Sequence, residues 1–294
     1  MKLNDVQTKI EQAEIGVYDS GVGGISFLPT AQRLLPAERF VYFGDLANAP
    51  YGERSQDFIL QRARVVTAFF KERGVKAMVI ACNTATSAAA AALRAENQDL
   101  PILGMEPAVH LAVKNGEKRI IALATDVTTR GEKLQRLLAL NSAAAEIKVL
   151  PCPGLVELIE KDLIQQETAA IRCYLKSKLQ AFLAENMETA LVLGCTHYIF
   201  LRGMLAEMYP GLRLYDGNLG TALNLRYRLQ QAGLLQSSAA DAAAVGQSDR
   251  LVPDGEPRFA GEVFAAEHLP GAVFGIFHGS AFSRYEGSEK SLSL

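Results

Sequence analysis

The chain has 294 residues, of which 49% are hydrophobic and 21% charged, with a formal net charge of −2. Neither a basic stripe nor a polybasic helix is present, so nucleic acid and membrane surfaces are excluded as partners; small molecules, or copies of the chain as in a homodimer, remain. Four cysteines at wide, irregular spacing (Cys82, Cys152, Cys173, Cys195) suit neither a disulfide framework nor a CxxC zinc site, and reduced thiols with no metal are expected.

No apolar run approaches the ~18–20 residues needed to span a bilayer, and the polar start lacks a signal-peptide core, so a cytoplasmic location is expected. The first predicted strand, 14–18, ends at Asp19–Ser20–Gly21–Val22–Gly23–Gly24. Glycines there permit a tight turn and leave backbone N–H groups facing the start of a helix over 25–34, which suits a carboxylate or phosphate cradle. A plain tight turn explains the same glycines, and neither GxGxxG nor a P-loop ending is matched. A second strand over 40–44 leads to Asp45 and a loop carrying Pro50–Tyr51–Gly52. Apolar residues at helical spacing (Phe58, Ile59, Ala63, Val66, Phe69, Phe70) predict a helix over 55–73. The strand 77–81 then delivers Cys82–Asn83–Thr84, an Ala-rich helix covers 87–94, and a short strand at 102–105 ends at Glu106–Pro107.

Beyond the Asn115–Gly116 turn the series repeats. Strand 119–125 opens onto Thr125 and Thr128, strand 147–150 leads to Pro151–Cys152–Pro153, and helices follow at 155–160 and 168–185. Strand 191–194 delivers Cys195–Thr196–His197, and strand 212–215 ends at Asp216–Gly217–Asn218 before a helix from Thr221. Each series has strand–loop–helix order with a cysteine on its third strand, a pseudo-repeat of roughly 105–115 residues. The expected fold is α/β: two pseudo-symmetric lobes, each a mostly parallel sheet flanked by helices, with the active site in the cleft between them. Lobe 1 takes residues 1–106 and 217–294 and carries Cys82; lobe 2 takes 107–216 and carries Cys195. In the tail, 236–244 reads as loop, 251–264 as a strand and a helix, and 288–294 as disordered.

A single buried cysteine is a small core hydrophobe, the reading for Cys152 and Cys173. Two at matched strand ends suggest an acid and a base on opposite faces of one bound molecule, the arrangement that inversion at an amino-acid α-carbon requires. Asp19 and His197 are their proton partners or tuners. Ser20, Asn83, Thr84 and Thr196, with the turn N–H groups, would stabilise a carbanion. His110, His268 and His278 read as structural.

Taken together, Asp19–Gly24, Pro50–Gly52, Ala81–Cys82–Asn83–Thr84, Glu106–Pro107 and Gly194–Cys195–Thr196–His197–Tyr198 resemble the signature segments of the aspartate/glutamate racemase family, in the family's order over about residues 14–222. The resemblance implies cofactor-independent, two-base racemisation of glutamate, supplying D-glutamate for peptidoglycan and thereby cell-wall biogenesis and cell shape. It also implies Cys82 and Cys195 as the acid/base pair, Asp19 and His197 as assisting residues, and Glu160 as a second carboxylate. Asp19, Ser20, Pro50, Tyr51, Gly52, Asn83, Thr84, Thr196 and His197 fall at substrate contacts, to which the Thr-rich turn adds Thr125 and Thr128. Residues from about Ala272 onward extend beyond the family pattern. Other outcomes of the same architecture are racemisation of aspartate, a decarboxylase-like protonation needing one thiol, or a binder of amino acids without turnover.

Overall fold

The computed structural model describes residues 13–165, 168–183 and 189–236, together with two strands at 262–265 and 273–277. In chain order, β1 (Ile15–Asp19), α1 (Leu28–Leu34), β2 (Phe40–Gly44), α2 (Gln56–Arg73), β3 (Ala77–Ile80), α3 (Asn83–Glu96) and β4 (Ile102–Gly104) form the first series. The second is α4 (Val109–Lys114), β5 (Arg119–Ala124), α5 (Asp126–Arg130), α6 (Glu132–Asn141), β6 (Glu146–Pro151), α7 (Leu155–Gln165), α8 (Thr168–Leu183), β7 (Thr189–Leu193), α9 (Arg202–Met208) and β8 (Arg213–Asp216). The helix α10 (Asn218–Gln231) and strands β9 (Glu262–Ala265) and β10 (Val273–Phe277) follow.

Two sheets result, of order β4-β3-β1-β2-β10-β9 and β6-β5-β7-β8. Strands β1 to β4 pair in parallel, as do β5 to β8. Read from the other edge, the second sheet is β8-β7-β5-β6, the same order as β4-β3-β1-β2, so the repeat is exact in topology. In each sheet the order reverses between the first and third strands of the series. Such a switch point is where ligands of open α/β sheets bind, beyond the carboxyl ends of the strands. Asp19 and Cys82 stand at one, Thr125 and Cys195 at the other.

Alternating strand residues feed opposite faces of each sheet. Ile15 and Val17 pack with Leu28 and Leu34 of α1 and Ala222 and Leu225 of α10, whereas Tyr18 and Ile80 pack with Ile59, Val66 and Phe70 of α2 and Leu93 of α3. In the second sheet Ile121, Leu123, Leu191 and Leu193 face α7, α8 and α9, while Ile120, Ala122 and Val192 face α4. Full burial of such a side chain is worth ~1.5–3 kcal/mol, and a one-residue slip would exchange the two faces, which fixes register. Helix α10 follows the second series yet packs on the first sheet beside α1. The two crossings between the sheets lie together: a Cβ on Gly217 would fall 2.5 Å from the Glu106 carbonyl oxygen.

Several expectations shift. The helix expected over 25–34 begins as a 3-10 turn, Gly23–Phe27, and becomes α-helical at Leu28. Pro29 has no N–H to offer the Ile25 carbonyl, which the Leu28 N–H takes instead. The helix expected over 87–94 spans Asn83–Glu96, because Cys82 caps it: the Ala85 N–H donates to Cys82 Sγ at 3.4 Å. Cys173 is exposed, not packed in the core. Ile171, Leu175 and Leu179 carry the buried stripe of α8, and two residues of rotation from Ile171 turn Cys173 to solvent. Val273–Phe277, within the segment beyond the family pattern, pairs antiparallel with β2 as the fifth strand of the first sheet. The tail readings at 237–244, 251–261 and 288–294, and His268 and His278, lie outside the described residues.

Candidate active site

The turn after β1 folds around the Asp19 carboxylate. Gly21 N–H donates to Asp19 Oδ1 at 2.9 Å, the Gly24 N–H also binds this carboxylate, and the side chain is fully buried. At least part of the proposed anion cradle is therefore filled by the protein's own aspartate, an Asx turn. Tyr42, on the neighbouring strand, donates to the Gly21 carbonyl at 2.6 Å and holds the turn from below.

The glycines also answer a second need, close approach of the other lobe. A Cβ on Gly23 would fall 2.4 Å from His197 Nδ1 and 2.5 Å from Thr196 Oγ1, and one on Gly21 would fall 2.8 Å from Glu160 Oε1. Across this contact Thr196 Oγ1 donates to Asp19 Oδ2 at 3.0 Å and Ser26 Oγ to the Thr196 carbonyl at 3.5 Å, while Asn218 Nδ2, from the same lobe as Ser26, donates to the Ser26 carbonyl at 2.8 Å.

Each of the two cysteines borders this seam. Cys82 Sγ lies 3.5 Å from Ser20 Oγ, and Ser20 adjoins Asp19; Cys195 adjoins Thr196, and its Sγ lies 4.0 Å from His197 Nδ1. His197 Nε2 in turn is 2.8 Å from Glu160 Oε1 on α7. Cys82, Ser20, Asp19, Thr196, Cys195, His197 and Glu160 thus form one string of neighbours, all buried except Glu160, whose side chain is 29% exposed.

A second string runs beside the first. Thr84 and Thr125 hydroxyls are 2.9 Å apart, Thr125 Oγ1 donates to Thr128 Oγ1 at 3.0 Å, and the Thr128 N–H donates back to Thr125 Oγ1, which caps α5. Gly52 sits against this pair, with 3.3 Å between its would-be Cβ and Thr125 Cβ. Tyr51 is buried and Pro50 half-buried in the same loop. Asn83 is buried with Oδ1 unpartnered among the described residues, and it lines a cavity of about 10 Å³ with Thr128, Glu106 and Lys133. That is room for about one water, and an orphaned buried acceptor is costly until a donor reaches it.

The two thiols have unlike electrostatic surroundings. Burial, with the Asp19 carboxylate nearby, pushes the Cys82 thiol up to about 12. Burial also raises Asp19, against the pull of His197 and of its own hydrogen bonds. Burial alone would lower the His197 imidazole, but hydrogen bonds to Cys195 and Glu160 and the field of Asp19 outweigh it and carry it up to about 10. At neutral pH the arrangement therefore holds a protonated thiol at Cys82 and an imidazolium beside Cys195.

His110 pairs with Asn141 Oδ1 at 3.0 Å, away from both strings. Cys152 is buried, its carbonyl accepting from the Tyr198 hydroxyl at 3.3 Å, and it packs as expected. Residues not singled out as site residues also shape the seam: Tyr42, Ser26 and Asn218, and the Asp45–Arg62 pair behind Tyr51. Asp45 carried the one legible signal, a carboxylate at a strand end that repeats the placement of Asp19.

A family model described as Asp/Glu/Hydantoin racemase matches residues 25–222. The chain is similar to a glutamate racemase from Pseudomonas putida, 45% identical over 234 residues that cover 79% of this chain and 87% of the relative. It is 43% identical to one from Clostridium botulinum, over 77% of this chain and 88% of that protein. Among solved structures it resembles Escherichia coli glutamate racemase in complex with L-glutamate and the activator UDP-MurNAc-ala, at 32% identity and TM-score 0.66, over 74% of this chain and 83% of that one. A glutamate racemase from Bacillus anthracis superposes at TM-score 0.69 with 28% identity, over 81% and 93% of the two chains.

Proposed function

The chain belongs to the Asp/Glu/Hydantoin racemase family, and we propose that it interconverts L- and D-glutamate without a cofactor, using Cys82 and Cys195 as paired acid and base. The observation that carries this is the matched placement of the two thiols at the switch points of two sheets whose ends are joined through Asp19 and Thr196.

In each direction one thiolate takes the Cα proton. The electron pair left on Cα spreads into the carboxylate, and the thiol on the opposite face gives up its S–H proton to form the mirror image. The two sulfurs end with exchanged protonation, so the reverse reaction uses the same parts. Taking the Cys82 proton at pH 7 with its thiol near 12 would cost roughly 7 kcal/mol. The direction in which Cys82 gives up its proton is therefore the one its resting state is ready for, and the His197 imidazolium, 4.0 Å from Cys195 Sγ, would stabilise negative charge on that sulfur. The Ser20 hydroxyl would bind the carboxylate charge that grows as the carbanion forms, joined by those of Thr84, Thr125 and Thr196 once substrate replaces their present acceptors. The unpartnered Asn83 Oδ1 is suited to accept from the substrate ammonium, which keeps that group charged and the α-carbon acidic.

Both sulfurs are buried, Cys82 5% and Cys195 7% exposed, so substrate reaches them only when the lobes part. The lobes divide, on this reading, at Glu106 and Gly217, whose side-by-side crossings form a natural hinge. No helix among the described residues is long and apolar enough to cross a membrane; a cytoplasmic location, homodimerisation, and supply of D-glutamate to peptidoglycan belong to the same proposal. The decisive experiment incubates the protein with L- or D-glutamate in D₂O and follows deuterium at Cα by NMR together with optical rotation. Deuterium entering either enantiomer as rotation decays to zero is expected, and no exchange with either would sink the proposal.

A further inference from the structure

Behind the Pro50–Tyr51–Gly52 loop lies a buried charged cluster that the two-thiol chemistry does not use. Asp45 is 1% exposed, and its carboxylate receives four donors: Asn48 Nδ2 and Arg62 Nη2 on Oδ1, both at 2.9 Å, and the Tyr51 hydroxyl at 2.5 Å with Arg62 Nε at 2.8 Å on Oδ2. The Tyr18 hydroxyl donates to the Tyr51 oxygen at 2.7 Å, and the Asp45 N–H donates to the Asp19 carbonyl at 3.0 Å. Burial works against ionisation of Asp45, but hydrogen bonds from Arg62, Tyr51 and Asn48 hold its carboxyl below the usual range. A buried ion pair adds little net stability over apolar packing of the same volume, because desolvation offsets the attraction. What it specifies is geometry: a bidentate guanidinium and two oriented donors admit one placement of the groups they tie.

The groups tied here come from five places: strand β1 (Tyr18), the end of β2 (Asp45), the 3-10 turn Leu46–Asn48, the loop at Tyr51, and helix α2 (Arg62). The loop carries Gly52, which abuts Thr125 of the other lobe, and Thr125 bonds Thr84, two residues after Cys82. We infer that Asp45 and Arg62 are positioning residues: their ion pair clamps the Tyr51 hydroxyl so that the 49–53 loop keeps its seat against the Thr84–Thr125 pair and fixes where substrate is held relative to the sulfurs. The inference rests on the reading of this loop as a wall of the glutamate site.

Tyr51→Phe tests it with the least disturbance, since it removes only the hydroxyl and leaves Asp45 paired with Arg62. Losing a hydrogen bond to a charged group, about 1.5 kcal/mol, should raise KM for both glutamate enantiomers about tenfold while kcat changes less than about threefold. Arg62→Lys, which keeps the charge but not the fork, should raise KM by a smaller factor than Arg62→Leu. Amide exchange read by mass spectrometry reports on the clamp whether or not the protein turns over: residues 46–54 should exchange about tenfold faster in Tyr51→Phe than in the parent, with 168–183 unchanged. Parent-like exchange over 46–54 in folded Tyr51→Phe overturns the clamp, and so does an equal fall in kcat and kcat/KM at constant KM. Absence of Cα exchange in the parent protein strikes the racemase reading instead, and the amide measurement still decides the clamp.

Discussion

Cys82 and Cys195 occupy the same station in two copies of one topology, the end of the third strand at a switch point, yet their neighbours differ in charge. Cys82 sits with Ser20, the Ala85 N–H and the Asp19 carboxylate, and its thiol is held near 12. Cys195 sits 4.0 Å from an imidazole that its hydrogen bonds to Cys195 and Glu160 hold near 10 against burial. The repeat accounts for why a thiol stands at each switch point, and the unlike side chains around them account for why one begins protonated and the other beside a cation. A fully symmetric site would start with two like groups and have no preferred acid.

The comparison breaks most completely if either sulfur is removed. Cys82→Ala and Cys195→Ala should each lower kcat/KM for racemisation roughly 10³-fold or more, the range of a lost general acid or base. The factor must be the same for both enantiomers, because their equilibrium constant is unity; a variant retaining near-parent activity would leave the pairing without support. Next comes the seam. Gly23→Ala places a Cβ 2.4 Å from His197 Nδ1, so the ring must move, and a shift approaching 1 Å should cost about 10²-fold in kcat. Crystallography of that variant should show His197 displaced while Cys82 stays in place, which separates the two halves of the site.

Glu160→Gln sharpens the electrostatic contrast. The folded value of His197, about 10, lies above its ordinary 6.5, so its pairing stabilises the fold fully below about pH 6.5, and that contribution is lost as pH rises through 10. Urea midpoints of the parent should exceed those of Glu160→Gln by the widest margin near pH 6, with the gap closing by about pH 10.5. A gap that widens with pH would mean that His197 is held neutral. Cys173→Ser gives the smallest effect. Exposed on α8, it should change stability by less than about 0.5 kcal/mol, and a maleimide should label Cys173 in the native protein well ahead of the three buried thiols.

Much of the architecture is legible locally. Apolar runs of strand length that end in Asp19, Cys82, Thr125 and Cys195 place those residues at carboxyl ends before any fold is known. Cys173, read as a core residue, faces solvent instead, although the spacing of Ile171, Leu175 and Leu179 carried the signal for it. The start of α3 was not, because a thiol caps it where Ser, Thr, Asp or Asn is the usual signal. Nor was the role of Arg62, a helical residue like its neighbours until the fold turns it back onto Asp45, 17 positions earlier. The antiparallel pairing of Val273–Phe277 with β2 spans more than two hundred residues, beyond the reach of any local pattern.

By itself, then, the order of residues determined a doubled strand–loop–helix series with one cysteine at the third strand of each copy, since strand period, helix period and turn glycines act over a few residues. Only the tertiary structure decided which charges face the two sulfurs. Thr196 reaches Asp19 across 177 positions, and Glu160 reaches His197 across 37. These contacts form because two sheets dock end to end, a step governed by the summed burial and fit of both lobes and encoded in no single stretch of the chain.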